Sequence, residues 1–183
     1  IKYKDGRVAS KLLTALMGAN CFSNPKDISI LALLMKAIGL KDDDVVLDFF
    51  SGSATTAEAV MTVANEKSIS PKYILVQWPE DLDKNLKSAT GSAVQITKNA
   101  IKICDDLKRP HLLTEIGKER IRRAGEKIKE ENPLTTQDLD IGFRVLKLDD
   151  SNMKDVYYAA DDYDQQNLMD MISNIKEDRT DLD

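Results

Sequence analysis

Histidine is nearly missing from this sequence: His111 is the only one in 183 residues. A single imidazole supports no His-based metal constellation, and no Ser/His/Asp or Cys/His catalytic grouping can be assembled around it. Beside Pro110 it reads as a loop residue. Cysteine is almost as scarce. Cys21 and Cys104 lack metal-ligand spacing and read as two small apolar side chains in a reduced, cytoplasmic setting, not as a disulfide framework. No apolar run reaches the roughly 20 residues of a membrane span. The longest, "ISILALLMKAIGL" at 28–40, is interrupted by Lys36, and no basic-then-apolar signal segment opens the chain. Positive charge is not in excess: 26 Lys and Arg face 31 Asp and Glu, a net charge of −5. That argues against a dedicated nucleic-acid module. It leaves room for a domain that holds a small cofactor while another part grips DNA. Gly52 is the only glycine between Leu40 and Gly91, so the G-x-G-x-x-G dinucleotide fingerprint is not met. There is no internal repeat and no low-complexity segment. The chain begins at Ile1 and not at Met, and we expect it to be a piece of something longer.

What is present is an alternation of helical and strand patterns. Apolar residues make up 42%, enough at this length for one domain with a core. Leu12, Leu13, Leu16 and Met17 have helical spacing. In "FSNPKDISILALLMKAIGL" the expected N-cap is Asn24, with Pro25 in the first turn and Asp27 complementing the helix dipole. Ile28, Leu31, Leu34 and Ile38 are expected to line one face, with Gly39 ending the helix. "VVLDFF" at 45–50 reads as a parallel strand covered on both faces. A helix over "TTAEAVMTVANEK" should turn Ala57, Val60, Met61 and Ala64 inward, and "YILVQW" at 73–78 reads as a second parallel strand. The polar stretch 80–92 reads as a surface loop. Helices follow over 93–107 and 113–132. The second is expected to present a narrow face of Ile116, Ile121, Ala124 and Ile128, with Arg120, Arg122 and Arg123 in solvated salt bridges. "GFRVLKLD" at 142–149 predicts a third strand, "NLMDMISNI" at 167–175 a terminal helix, and "KEDRTDLD" a frayed acidic end. The order predicts an α/β sheet.

The stretch "VVLDFFSGSATT" carries the chemistry. Ligands of open parallel sheets collect at the carboxyl ends of the strands. Asp48 stands at that end of the first strand. The loop behind it is built of Ser51, Gly52, Ser53, Ala54 and Thr55, small residues that admit a ligand close to the backbone, and a helix N-terminus follows. An acid there disfavours pyrophosphate and suits a cationic ligand. S-adenosylmethionine (AdoMet) carries an ammonium and a sulfonium, and its carboxylate can take backbone N–H groups. Gln77 and Glu80 end the second strand, where polar groups receive ribose hydroxyls in such folds. Trp78 is available to pack on an adenine. The competing reading is an acid that merely caps the next turn.

With these residues in view, "FSNPKDISILALLMKAI", then "VVLDFFSGSATTAEAVM", then "YILVQWPE" resembles the later part of a beta-class amino-DNA methyltransferase, in which the F-x-x-P-K helix precedes the AdoMet loop. "LTEIGKERIRRAGEKI" and "DIGFRVLKLDDSN" resemble the C-terminal stretch of modification subunits of type III restriction–modification systems, which methylate adenine at N6. The match departs from the family in three places. Ala54 stands where the loop usually has a second glycine, which is tolerable if its φ stays negative. Asp27 follows Lys26 where Pro is common. The catalytic D-P-P-Y-type tetrapeptide is absent, and "DDYD" at 161–164 is no substitute.

The resemblance implies an incomplete Rossmann-like AdoMet-dependent methyltransferase fold, with about three parallel strands and flanking helices. It implies a connector at 1–21, the AdoMet-binding half at 22–155, and a terminal helix with an acidic tail at 156–183. Phe22, Pro25 and Lys26 would border the methionine end. Asp48 would receive the ammonium, Phe49, Ser51 and Gly52 would form the loop wall, and Thr55 and Thr56 would serve the helix start. Gln77 and Glu80 would meet the ribose. The catalytic residues, and most of the DNA contact, would lie upstream of this chain. A restriction subunit and a second copy are the implied protein partners. Two other readings stand beside this one: a non-catalytic dimerisation or docking domain, and a nicotinamide dinucleotide-binding domain.

Overall fold

Val45–Asp48 (β1) and Lys72–Leu75 (β2) pair in parallel, Val45 opposite Lys72 and Asp48 opposite Leu75. They are the core of a computed structural model that describes residues 6–148, 151–153 and 175–176. The chain divides into two units, 1–142 and 143–183. In the first, the order is α1 (Gly6–Met17), α2 (Ile28–Ala37), β1, α3 (Thr55–Lys67), β2, α4 (Leu82–Ser88), α5 (Ser92–Asp106) and α6 (Leu113–Glu131). A parallel pair needs a crossover, and α3 supplies it.

The α3 sequence is rich in alanine and β-branched residues, and it is buried on more than one side. Ala57, Ala59, Val60, Met61, Val63 and Ala64 are all buried, and α3 packs against α2, β2 and α6. The inward set read from the periodicity is all there. Ala59 and Val63 join it, because small side chains let two neighbours approach at once. Val46 and Tyr73 close this core from the sheet, and Leu40 from the end of α2. A second cluster joins Leu13, Met17 and Cys21 to Leu82, Cys104 and Ile116. Burial of each such aliphatic side chain is worth about 1.5–3 kcal/mol.

Several local expectations are corrected. The N-cap of α2 is Asp27, whose Oδ1 accepts the Ser29 N–H at 2.7 Å, and Asn24 instead takes a left-handed φ of 53°. Lying one residue before Ile28, Asp27 satisfies an orphan donor that Asn24 is too distant to reach. The buried face of α2 is Ala32 and Met35, while Leu34 and Ile38 are exposed. Gly39 does end the helix: with φ 78°, it donates to the Lys36 carbonyl, and Leu40 donates to that of Met35. Residues 82–88 form a helix within the expected loop, because Asp81 caps it through the Lys84 N–H and Leu82 is buried.

The sheet differs most from expectation. It has two strands among the described residues, not three, and only the face of Val46 and Tyr73 is packed against a core cluster. Val45, Leu47, Ile74 and Val76 are exposed on the other face, a state unusual for parallel strands. The expected third strand at 142–149 is not formed over its described part, 142–148. Its alternation supplies suitable side chains but no ladder partner, and Val145, Leu146 and Leu148 are exposed. In the second unit the described residues contain one isolated antiparallel bridge, between Met153 and Ile175. The expected terminal helix and acidic end lie outside the described residues, apart from Ile175 and Lys176.

Candidate functional site

The turn from β1 into α3 is held by side chains from several elements. Asp48 Oδ1 accepts the Phe50 N–H at 3.1 Å, an Asx turn. Its Oδ2 accepts the Thr56 hydroxyl. Ser51 donates its N–H to the Val76 carbonyl, and its own carbonyl accepts from Ala54 at 2.7 Å. Gly52 has φ 51° and donates its N–H to Gln77 Oε1 at 2.7 Å. Asp48 therefore shapes the turn, as the competing reading held. Each carboxylate oxygen has two lone pairs, so both retain an acceptor position for a ligand.

Phe22 comes to this loop from the segment before α2. A β-carbon on Gly52 would lie 2.9 Å from Phe22 Cζ. The start of the F-x-x-P-K stretch and the small-residue loop, 30 positions apart, are thus in contact. Pro25 is buried and Lys26 exposed. Phe49, Phe50 and Trp78 are left in water at the loop and at the end of the second strand, Phe50 at 91% and Trp78 at 78% exposure. Large flat apolar faces so placed suit stacking on a planar ring.

Of the two residues expected to meet a ribose, Gln77 braces Gly52 and Glu80 accepts from Asn85 Nδ2 at 3.0 Å. Glu80 is exposed and Gln77 is half-buried. Thr55 and Thr56 are buried at the start of α3, whose N-cap, Ala54, gives no side-chain cap. The condition set for Ala54 fails: its φ is 62°. It sits in the left-handed region that glycine enters freely and alanine enters at a cost.

The residue that sequence reasoning missed is Arg120. Expected in solvent, it is 1% exposed. From α6 its Nε donates to Glu58 Oε2 at 2.9 Å, and its Nη1 to Thr55 Oγ1 at 2.6 Å and to Ser53 Oγ at 2.8 Å. Burial lowers its pKa, and the Glu58 carboxylate opposes that. The signal was in the spacing: Arg120 falls between Ile116 and Ala124 at steps of four, on the apolar face. Arg123 keeps the expected salt bridge, its Nε donating to Glu119 Oε1 at 2.7 Å, and its Nη1 also donates to the Leu16 and Met17 carbonyls at the end of α1.

Elsewhere, His111 bonds Asp83 through Nδ1 and Asp105 through Nε2, which raise its pKa. Burial pushes the Cys21 and Cys104 thiols up to about 11.

Over 141 residues, 77% of the chain, the sequence is 35% identical to the Mod subunit of the type III restriction–modification enzyme StyLTI from Salmonella typhimurium; the match covers 18% of that protein. It is 38% identical over 96 residues, 51% of the chain, to the EcoPI Mod subunit of Escherichia phage P1, covering 15% of it. Against the EcoP15I Mod subunit of Escherichia coli, identity is 32% over 102 residues, 53% of the chain and 16% of that subunit. The chain spans less than a fifth of the length of these relatives. No protein-family model matches it.

Proposed function

We propose that this chain, which is related by sequence to the Mod subunits of type III restriction–modification enzymes, is the AdoMet-binding part of a site-specific DNA methyltransferase acting at adenine N6. The observation that carries the reading is the Phe22–Gly52 contact. It brings the two AdoMet-side motifs of the resemblance together beside Asp48, at the carboxyl rim of a parallel pair. The donor set fits: a carboxylate with spare acceptor positions for an ammonium, and exposed aromatic faces for an adenine.

In this reading Asp48 holds the cofactor's ammonium, and Phe22, Phe49, Ser51 and Gly52 wall the loop. Pro25 and Lys26 border the methionine end. Thr55 and Thr56 fix the helix start, Gln77 fixes the Gly52 peptide, and Glu80 meets the ribose. Bound AdoMet supplies a methyl group on a sulfonium, a good leaving group. The task of these residues is therefore placement more than proton transfer. The target base is extruded from the duplex and gripped by a D-P-P-Y-type motif outside this chain. The bare apolar face of Val45, Leu47, Ile74 and Val76 is where the rest of the same subunit packs, since these relatives are more than five times as long as the matched segment. A cytoplasmic setting, a restriction subunit as partner and pairing with a second copy belong to the same proposal. No described helix is long and apolar enough to cross a membrane.

Calorimetry on the full-length protein tests the reading. Asp48→Asn keeps an acceptor for the turn and removes the charge. It should weaken AdoMet binding by about tenfold or more, the scale of one charge-assisted hydrogen bond. Unchanged affinity sinks the assignment. The uncovered sheet face also favours a second reading, a docking domain. A stable dimer that binds no AdoMet would select it, and binding of NADH instead would select the nicotinamide reading.

A further inference from the structure

We infer that Arg120 is a positioning residue for this site, setting from α6 the geometry of the 51–56 loop. The inference rests on the reading that this loop receives AdoMet. Four of the guanidinium's contacts are resolved: Glu58 Oε2 at 2.9 Å, Ser53 Oγ at 2.8 Å, Ser53 carbonyl at 3.3 Å and Thr55 Oγ1 at 2.6 Å. Three of the four are loop atoms. They lie between Gly52, tied to Gln77, and Thr56, tied to Asp48. The two threonines that open α3 are thus pinned by different elements, Thr55 by a cation on α6 and Thr56 by an anion on β1.

This loop needs such a clamp. Gly52 and Ala54 both hold left-handed φ values, and Ala54 provides no cap. Without an external hold, the backbone would relax out of that geometry. α6 reaches the loop a turn earlier as well, where a β-carbon on Gly117 would make ordinary contact with Gly52 O at 3.5 Å and Ala54 Cβ at 3.6 Å. A buried cation is costly, and an apolar side chain would fill the space more cheaply. What an apolar side chain cannot do is donate: Nη1 bonds the Ser53 and Thr55 hydroxyls, with the Ser53 carbonyl beside them at 3.3 Å, while Nε of the same rigid guanidinium bonds Glu58.

The test compares Arg120→Lys with Arg123→Met in the full-length protein, well below the unfolding temperature. Lysine keeps the charge for Glu58 and loses the fork. Arg123→Met breaks the hydrogen bonds to Glu119 and the end of α1, none of which involves a loop atom. In Arg120→Lys, hydrogen exchange at the 51–56 amides should accelerate and AdoMet affinity should fall on the order of 10- to 100-fold. Arg123→Met should do neither. If Arg120→Lys does not fold, Ser53→Ala, which removes one acceptor only, should shift both readouts in the same direction by roughly threefold. Wild-type affinity and exchange in the loop variant, or equal changes in both arginine variants, would overturn the role of Arg120 alone. A wild-type protein that binds no AdoMet overturns the function and this role with it.

Discussion

Phe22 and Gly52 interlock: the ring of one occupies the space a β-carbon on the other would need, with Cζ 2.9 Å from that position. The contact makes a glycine obligatory at 52 twice over, by its φ of 51° and by its neighbour.

Gly52→Ala should therefore destabilise the protein by about 1–3 kcal/mol, from left-handed strain plus overpacking. Phe22→Leu in the same chain should recover only the overpacking share, because the strain stays. Denaturant titration of the single and double variants measures both. Full recovery in the double variant would show the backbone to be unstrained.

Ala54→Gly should move stability the other way. Ala54 holds φ 62°, and glycine removes that strain while adding freedom to the unfolded chain. The net expectation is a gain of about 0.5–1 kcal/mol, read as a higher denaturation midpoint at unchanged m-value. A loss would mean that contact between the Ala54 methyl group and α6 outweighs the strain.

His111 should make stability depend on pH. Hydrogen bonds to Asp105 and then Asp83 raise its folded pKa above the ordinary 6.5. A raised folded pKa stabilises fully below pH 6.5 and is lost as pH rises through the folded value. His111→Ala should thus lower Tm at pH 6 and have a smaller effect at pH 9. Equal losses at both would assign the effect to packing.

Cys21 and Cys104 should resist alkylation. With thiol pKa values pushed up to about 11 by burial, only about one thiol in a thousand is ionised at pH 8. Iodoacetamide labelling should be slow in the native protein and rapid in denaturant. Both shifts are upward, so they also remove stability as pH rises past the ordinary thiol value of 9. Fast native labelling of either cysteine would show that its site opens.

The sequence by itself determined the bounds of α3, α5 and α6 almost residue by residue, because runs of helix-forming residues with apolar positions three and four apart mark such segments, even where burial spreads beyond one face, as in α3. It also determined the parallel strand pair, and Asp48 at the carboxyl end of the first strand. Local chemistry was legible only where a neighbour in sequence supplies it. Gly39 ends α2, as expected, but Asp27 and Asp81 cap helices that other signals obscured. Tertiary structure alone decided that Phe22 meets Gly52, that Gln77 serves the Gly52 peptide, and that Arg120 is buried against Ser53, Thr55 and Glu58. These contacts join residues 25 to 67 positions apart. No local propensity encodes such a meeting; it follows only when α3 is crossed by α6 and capped by the turn before α2. The strand not formed at 142–148 makes the same point in reverse, since a strand depends on hydrogen bonds to a second segment and one alternating sequence cannot supply the other.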